Sequence, residues 1–554
     1  MAVVVEKPAT RATAARFLTQ ATFGPTDADI DRVMAVGYSA WIDEQFALPA
    51  TSHRSYFQAR DAEIKVANAS SSAGQDQVLE SFWKQAVSGP DQLRQRSAYA
   101  MSQIFVISMV DSGVANDLRS VTAWMDMLGD KGLGTYRDLL ENVSRHPMMG
   151  IYLTHLRNQK ADQRSGRVPD ENYSREVIQL FSIGLVELNE DGSARQVNGA
   201  AVETYGAADI SGLAKVFTGW SWACPDWPDN SCFFSGSVGT NSDPDRGFKP
   251  MMGYAQYHST EEKKFLGVTI AAQTQSDPTA SLRTALDTLA AHPNVGPFIG
   301  RQLIQRLVTS NPSPTYVRDV ARAFANNGSG VRGDMKAVIK AVLMHPEARV
   351  MSDTSGKVRE PVLRLSAYLR AFPHRSDTGQ FKVGNTDNPG TALGQSPLRA
   401  PSVFNYYRPG YVAPGTASAG RSLVAPELQI AHETTAAGYI NYMRDNVASG
   451  VGQNNGTVAG VVLNRRDLQG DFSAELAMAA DPVALAERVV SRLTYTSATA
   501  LKAEISTTVG LTAIPALVTS GTGNNQAAIN AARRTRVNIA VLLALASPEV
   551  MVQP

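Results

Sequence analysis

The sequence predicts a mainly α-helical protein, a single large multi-helical domain over 1–554 with long aromatic-rich loop insertions and a few short strands. Three observations carry this. Apolar residues recur at helical spacing, as in Leu282, Leu286 and Leu289 and then Ile299, Leu303 and Leu307. Capping residues sit where such runs begin and end: Thr26 with Asp29, Asp334, and the closing glycines Gly37 and Gly184. The strand-helix alternation of a nucleotide-binding sheet, a phosphate-cradling loop and a Gly-x-Ser-x-Gly elbow do not occur, so no cofactor is expected.

Composition bounds the function classes. At 554 residues and 43% hydrophobic, the chain has enough apolar material for a sizeable core. Its net charge of +1, with no basic stripe interleaved with aromatics, argues against nucleic acid. No apolar run reaches transmembrane length, so no membrane span is expected.

Taken in order, residues 10–20 read as an amphipathic helix, the Thr26–Asp29 capping box opens a second that Gly37 closes, and Ser39 caps a third carrying Trp41, Ile42 and Phe46. A polar loop at 69–74 precedes helices over 78–86 and 93–109, the latter with Tyr99, Met101, Ile104, Phe105 and Ile107 as core. His146, His292 and His345 each precede proline after an apolar run. That placement suits a helix C-terminus, where an imidazole meets the last carbonyls, better than convergence on a metal. After a hairpin-like turn at Asp191-Gly192 and a helix over 210–217 comes the longest irregular segment, 220–267. It holds Trp220, Trp222, Trp227, Phe233, Phe234, Tyr254 and Tyr257, with His258 near its end. So many aromatics make either a wall for a sugar or a satellite core. Further helices are expected at 282–308, 316–324, 335–344, 360–372, 426–445, 482–493 and 525–546, and a mobile surface loop at 449–460. A second loop insertion, 378–411, ends in Tyr406, Tyr407 and Arg408, where the guanidinium either grips an acidic or hydroxyl group or stacks on a ring.

The chemistry is expected at 168–184. Pro169 and Asp170 start a helix over 171–183 whose apolar residues cover more than one face, so it should be buried. Asn172, Glu176 and Gln179 nevertheless share one stripe, with Arg175 beside it. A polar stripe on a buried helix either lines a cavity or is a paired structural network. On the first reading Glu176 or Glu171 is the acid or base, Arg175 stabilises developing charge, and Asn172 and Gln179 orient a substrate with His155, Asn158 and Lys160 at the rim. A glycosidase needs a second carboxylate, for which Glu171, Asp162 and Asp226 are the candidates.

The run Asp170-Glu171-Asn172-Tyr173-Ser174-Arg175-Glu176, then Leu180-Phe181-Ser182-Ile183-Gly184-Leu185 and Phe217-Thr218-Gly219-Trp220, resembles the signature of the bacterial family called domain of unknown function 1800. The resemblance takes in Arg16-Phe17-Leu18-Thr19-Gln20-Ala21-Thr22-Phe23-Gly24-Pro25, Pro397-Leu398-Arg399-Ala400-Pro401-Ser402-Val403-Phe404 and the closing Ala546-Ser547-Pro548-Glu549. It implies an exported, periplasmic or extracellular protein whose leader is absent from the chain as given. Cys224 and Cys232, the only cysteines, are by position either a disulfide or two free thiols, and the resemblance favours the disulfide. Many relatives carry a Trp-His-Asn-His-like run where this chain has Ser102 and Gln103, so a metal role does not carry over and no metal is expected. Two functions follow as expectations: a hydrolase or lyase acting on a polymer such as a polysaccharide by carboxylate acid/base chemistry, or a non-catalytic binding or assembly partner of a domain of unknown function 1501 protein, a phosphatase/sulfatase-like family.

Overall fold

Residues 92–102 are almost wholly enclosed, Arg96 included, because the helix Gln92–Ser102 is the hub of the molecule. Five helices pack on it: Arg11–Ala21, Tyr38–Ala47, Gln75–Ser88, Leu118–Lys131 and Val295–Leu307. The computed structural model describes residues 6–224, 229–352, 354–458, 460–518 and 523–553, and among them the fold is mainly α: twenty-five α-helices with short strands in small antiparallel sheets. One continuous apolar core extends from Ala14 to Val550. In the C-terminal third, Pro482–Leu493, Thr499–Gly510 and Gln526–Ala546 pack together, and Glu433–Ser449 lies against the last of them.

Local signals are obeyed where the expected cap geometry forms. Thr10 and Thr26 make capping boxes with Thr13 and Asp29, and Asp334 accepts from the amides of Lys336 and Ala337. Ser39 is not a cap: the third helix starts one residue earlier, at Tyr38, with Gly37 (φ 90°) as its N-cap.

Three larger expectations are corrected. The helix expected at 93–109 ends at Ser102, where Gln103 and Ile104 close tight turns back to Ala100 and Met101. The chain then runs out to meet the second loop insertion, Met109 N donating to Leu398 O at 2.8 Å and Ser108 Oγ to Ala400 O at 2.7 Å. Tertiary hydrogen bonds replace helical ones there.

The helix expected at 171–183 spans only Asn172–Gln179. Leu180 to Ile183 form a wide terminal turn, closed by Gly184 N bonding to Ile178 O at 3.1 Å with Gly184 at φ +75°.

The segment 449–460, expected as a mobile loop, holds most of one strand of a hairpin, Val451–Val458 against Val461–Gly470, with His374–Ser376 completing a three-stranded sheet. The anchor is Asp467. It is fully buried and accepts from Ser376 Oγ (2.6 Å), Thr378 N (3.1 Å), Thr378 Oγ1 (2.8 Å), Lys382 N (3.0 Å) and Asn455 Nδ2 (3.0 Å).

The three histidine-proline steps do lie at helix C-termini, but the rings face the other way. His146, His292 and His345 each accept, through Nδ1, from the backbone N–H two residues on, at 3.2, 3.1 and 3.2 Å. They therefore cap the turn that follows rather than bonding the carbonyls of the helix that precedes. An accepting Nδ1 must be unprotonated. Burial agrees, pushing His146 down to about 3.

Asp467→Asn is expected to cost about 2–4 kcal/mol at neutral pH, because it turns part of a five-donor acceptor into a donor. Burial alone would raise the Asp467 pKa, but the hydrogen bonds, that of Ser376 foremost, outweigh it and hold it low. Its contribution is thus full above the ordinary aspartate value of about 3.9 and is lost as pH falls through the lower folded value. Urea midpoints for both proteins from pH 7 downward measure this, and equal midpoints at pH 7 would refute it.

Candidate functional site

The stripe on the helix Asn172–Gln179 does not converge. Asp170 is not the cap expected of it: Glu171 stands at the N-cap without a side-chain bond, and the Asp170 carboxylate before it accepts from Asn172 N (2.8 Å) and Thr154 Oγ1 (2.8 Å). Glu171, Asn172 and Arg175 face solvent, Glu171 and Arg175 forming a loose pair at 3.7 Å. Glu176 points inward, 7% exposed, and its Oε2 has no partner among the described residues. Burial pushes its carboxyl pKa up, with Arg175 opposing. Gln179 accepts from Tyr205 OH at 2.9 Å and is the one member of the stripe that reaches an open cavity.

The expected rim residues are structural. His155 is buried, stacked on Tyr173 with ring centroids 3.9 Å apart, and bonded through Nε2 to Ser144 O at 2.8 Å. Burial lowers its pKa to about 4, so the ring is neutral. Asn158 clamps Asp170 from both sides, accepting from its N–H at 2.9 Å and donating to its carbonyl at 3.2 Å. Lys160 serves through its backbone, accepting from Arg167 Nε at 3.0 Å. Asp162 closes a surface turn with Ser165, and Asp226 and Trp227 lie outside the described residues.

The aromatic insertion packs on itself. Trp220 is 3% exposed and donates to Val216 O at 3.3 Å, while Trp222 is half-buried beneath the Arg246 guanidinium, 5.7 Å from its ring. Phe233 stacks on Tyr257 at 4.0 Å, and Phe233 and Tyr254 form a small separate core with the Cys224–Cys232 disulfide. His258 is fully buried between Thr218 O (2.7 Å) and Ser281 Oγ (3.0 Å). Among the described rings of the insertion Phe234 alone is exposed, and one ring makes no wall; Trp220 and Trp222 pack against protein groups.

An open cleft of about 550 Å³ lies at the other end of the central helix, lined by no residue of that insertion. One wall is the end of the central helix and its exit, with Gln179, Leu180 and Leu185. Gly184 is required there, since a Cβ at its position would stand 2.7 Å from the Phe298 ring. The opposite wall is the helix Val295–Leu307, contributing Phe298, Arg301, Gln302, Gln305 and Arg306. The second loop insertion closes one side with Val403, Phe404 and Arg408, whose guanidinium lies 4.4 Å over the Phe404 ring. Gln103 and Ile104 also line the cleft. Tyr406 holds this loop in place by donating to Ser396 O (3.2 Å) and Arg399 O (2.8 Å), rather than facing the cavity. Of the expected residues, then, Gln179 and Arg408 meet at the cleft. Arg301, Gln302, Gln305 and Arg306 escaped notice, although two polar pairs four residues apart on an otherwise apolar helix are a readable stripe.

Beneath the cleft lies a buried ionic network. Glu360, 1% exposed, accepts at Oε2 from Gln103 Nε2 (2.6 Å), Gln395 Nε2 (2.5 Å) and Tyr407 OH (2.8 Å). Lys357 pairs with Glu427 at 3.0 Å and donates to Arg306 O at 2.9 Å, and Arg96 donates to the same carbonyl at 2.6 Å. The Arg306 guanidinium stacks 4.7 Å over Tyr407. Burial would raise the Glu360 pKa, but Lys357 and Arg96 hold it below the ordinary value. Gln103 and Arg306 belong to both network and cleft, so the cleft rests on fixed charges. Among the described residues no three His, Cys, Asp or Glu side chains cluster as metal ligands.

Glu360→Gln leaves buried cations without their counter-charge and is expected to cost about 3–5 kcal/mol, whereas Arg175→Ala at the exposed Glu171 pair should cost less than about 1 kcal/mol. Denaturant unfolding of the two variants checks the contrast, and a Glu360→Gln midpoint equal to wild type would refute it.

No curated protein and no solved structure matches this chain. A family model described as protein of unknown function (DUF1800) matches residues 16–552. The signature at 170–185 lies within that match, and its residues build the central helix and one wall of the cleft. With nearly its whole length matched, the chain belongs to the DUF1800 family.

Proposed function

We infer that this protein is a binding protein that takes up a small, mostly apolar ligand in the cleft between the central helix and Val295–Leu307. The observation that carries this reading is the chemistry of the walls: apolar side chains with guanidinium and amide groups, and no carboxylate among the described residues that line it. About 550 Å³ is the size of a small-molecule site, and an apolar pocket with a few polar groups is the usual composition of one. Retaining and inverting glycosidases both need two carboxyl groups flanking the bond to be broken. Here Glu176 stands outside the cleft lining and Glu171 faces solvent, which counts against acid/base hydrolysis of a polymer. The Cys224–Cys232 disulfide supports an oxidising, periplasmic or extracellular setting.

Two outcomes are expected. In thermal-shift titrations, apolar ligands of cleft size raise the melting temperature, by the equivalent of about 2.7 kcal/mol at a hundred times Kd, and Val403→Trp at the cleft wall removes the shift; oligosaccharides do not shift either protein. A polysaccharide cleaved by wild type and not by Glu176→Gln would overturn the reading. Glu176→Gln itself should be at least as stable as wild type above neutral pH. The Glu176 pKa is raised in the folded state, so its ionisation disfavours folding as pH rises through that value, and the difference should shrink towards acid pH. Melting temperatures of both proteins between pH 4 and pH 8 test it, and a variant that melts lower throughout would show that the carboxylate is paired.

A further inference from the structure

We propose that the ligand taken up by the cleft is a carboxylate with an apolar body, an aryl- or alkyl-alkanoic acid, whose head group is held by Arg301 and Gln302; this rests on the cleft being a binding site.

The argument starts from which polar groups of the cleft are already used. Arg306 is committed below, stacked on Tyr407 and donating to Gln103 O at 3.4 Å. Gln305 donates to Ser310 O (3.0 Å) and Pro409 O (3.2 Å), and Gln179 accepts from Tyr205. Arg408 lies on Phe404. Arg301 lines the cleft with its side chain exposed, and it has neither ion pair nor hydrogen bond among the described residues. Its neighbour Gln302 is nine-tenths buried and its amide nitrogen has no partner. A buried amide N–H left unpaired is costly, and the exposed guanidinium beside it has its donors free for a ligand. Their requirement is the same: an acceptor that brings negative charge.

The shape of the donors narrows the choice. A guanidinium is planar and presents paired N–H groups that match the two oxygens of a carboxylate. The absence of acidic side chains from the described lining leaves nothing to compete with the ligand for that charge. Leu185, Val186, Leu188, Phe298, Val403 and Phe404 supply the apolar remainder of the walls, so a fully hydrated anion would leave most of the cleft unused. Both halves of the site are filled together only by an amphiphilic acid.

The test is calorimetric titration of the full chain with 4-phenylbutyrate and octanoate and with their primary amides, which keep shape and lose charge. Wild type is expected to bind the acids at least about tenfold more tightly than the amides, as a charge-assisted hydrogen bond would give. Arg301→Gln should lower acid affinity by about the same factor and leave amide affinity unchanged, with partial rescue in Arg301→Lys. Gln302→Leu should weaken both. Since Arg301 has no partner to lose, Arg301→Gln should keep the wild-type melting temperature, which separates lost binding from lost folding. Acids and amides binding equally, unaffected by Arg301→Gln, would overturn the carboxylate assignment and leave the binding cleft standing. No binding of either class at millimolar concentration would overturn both.

Discussion

The constraint on which the rest depends is the burial of Glu360 among cations and amide donors. Glu360 Oε2 takes three hydrogen bonds from residues at 103, 395 and 407, while Lys357, just before Glu360, and Arg96, on the helix that Gln103 ends, both reach Arg306 O. Stretches up to about three hundred residues apart in sequence thus meet at one carboxylate. Each charge is tolerable only in the presence of the others, since an uncompensated buried ion costs several kcal/mol. The early hub helix, the helix Val295–Leu307 and the second loop insertion must therefore be in place together. The strand pair Val552–Gln553 with Lys357–Val358 ties the chain end to the same region.

That network also decides where the molecule can open. Gln103 and Arg306 are held from below, so their exposed sides form a rigid floor, and Tyr406 and Tyr407 fix the loop that carries Phe404 and Arg408. Binding sites gain affinity when their polar groups are oriented before the ligand arrives. The cleft meets that condition through Gln305 and Gln179, whose side chains are bonded within the protein, while Arg301, Gln302 Nε2 and the Arg408 guanidinium over Phe404 keep donors free among the described residues. The position of Gln103 is instructive. This residue both ends the hub helix and links the cleft to Glu360.

Where sequence and structure part company, the reason is repeatedly that a side chain found a distant partner. Asn172, Glu176 and Gln179 lie on one helical stripe by spacing, but Gln179 turns to Tyr205 and the cleft, Glu176 into the interior, and Asn172 to solvent. The tryptophans of the insertion read as a sugar wall or, in preference, as a satellite core; the disulfide and the stack of Phe233 on Tyr257 draw the described part of the segment inward. The glycine- and asparagine-rich segment at 449–460 carries weak strand propensity. It is nevertheless held as a hairpin because Asp467 offers an acceptor to five donors across the sheet.

By itself the sequence determined what depends on neighbours in the chain: the helical class, the capping box at Thr26, the helices Met335–Met344 and Pro482–Leu493, and membership of the family whose model matches residues 16–552. Periodicity and caps act over a few residues, so they survive being read in one dimension. Only the tertiary structure decided which polar residues share a site. Burial, desolvation and ion pairing depend on distance through space: the Glu360 network holds the segments of Gln103, Arg301 and Arg408 together, and the central helix brings Gln179 to the same cleft.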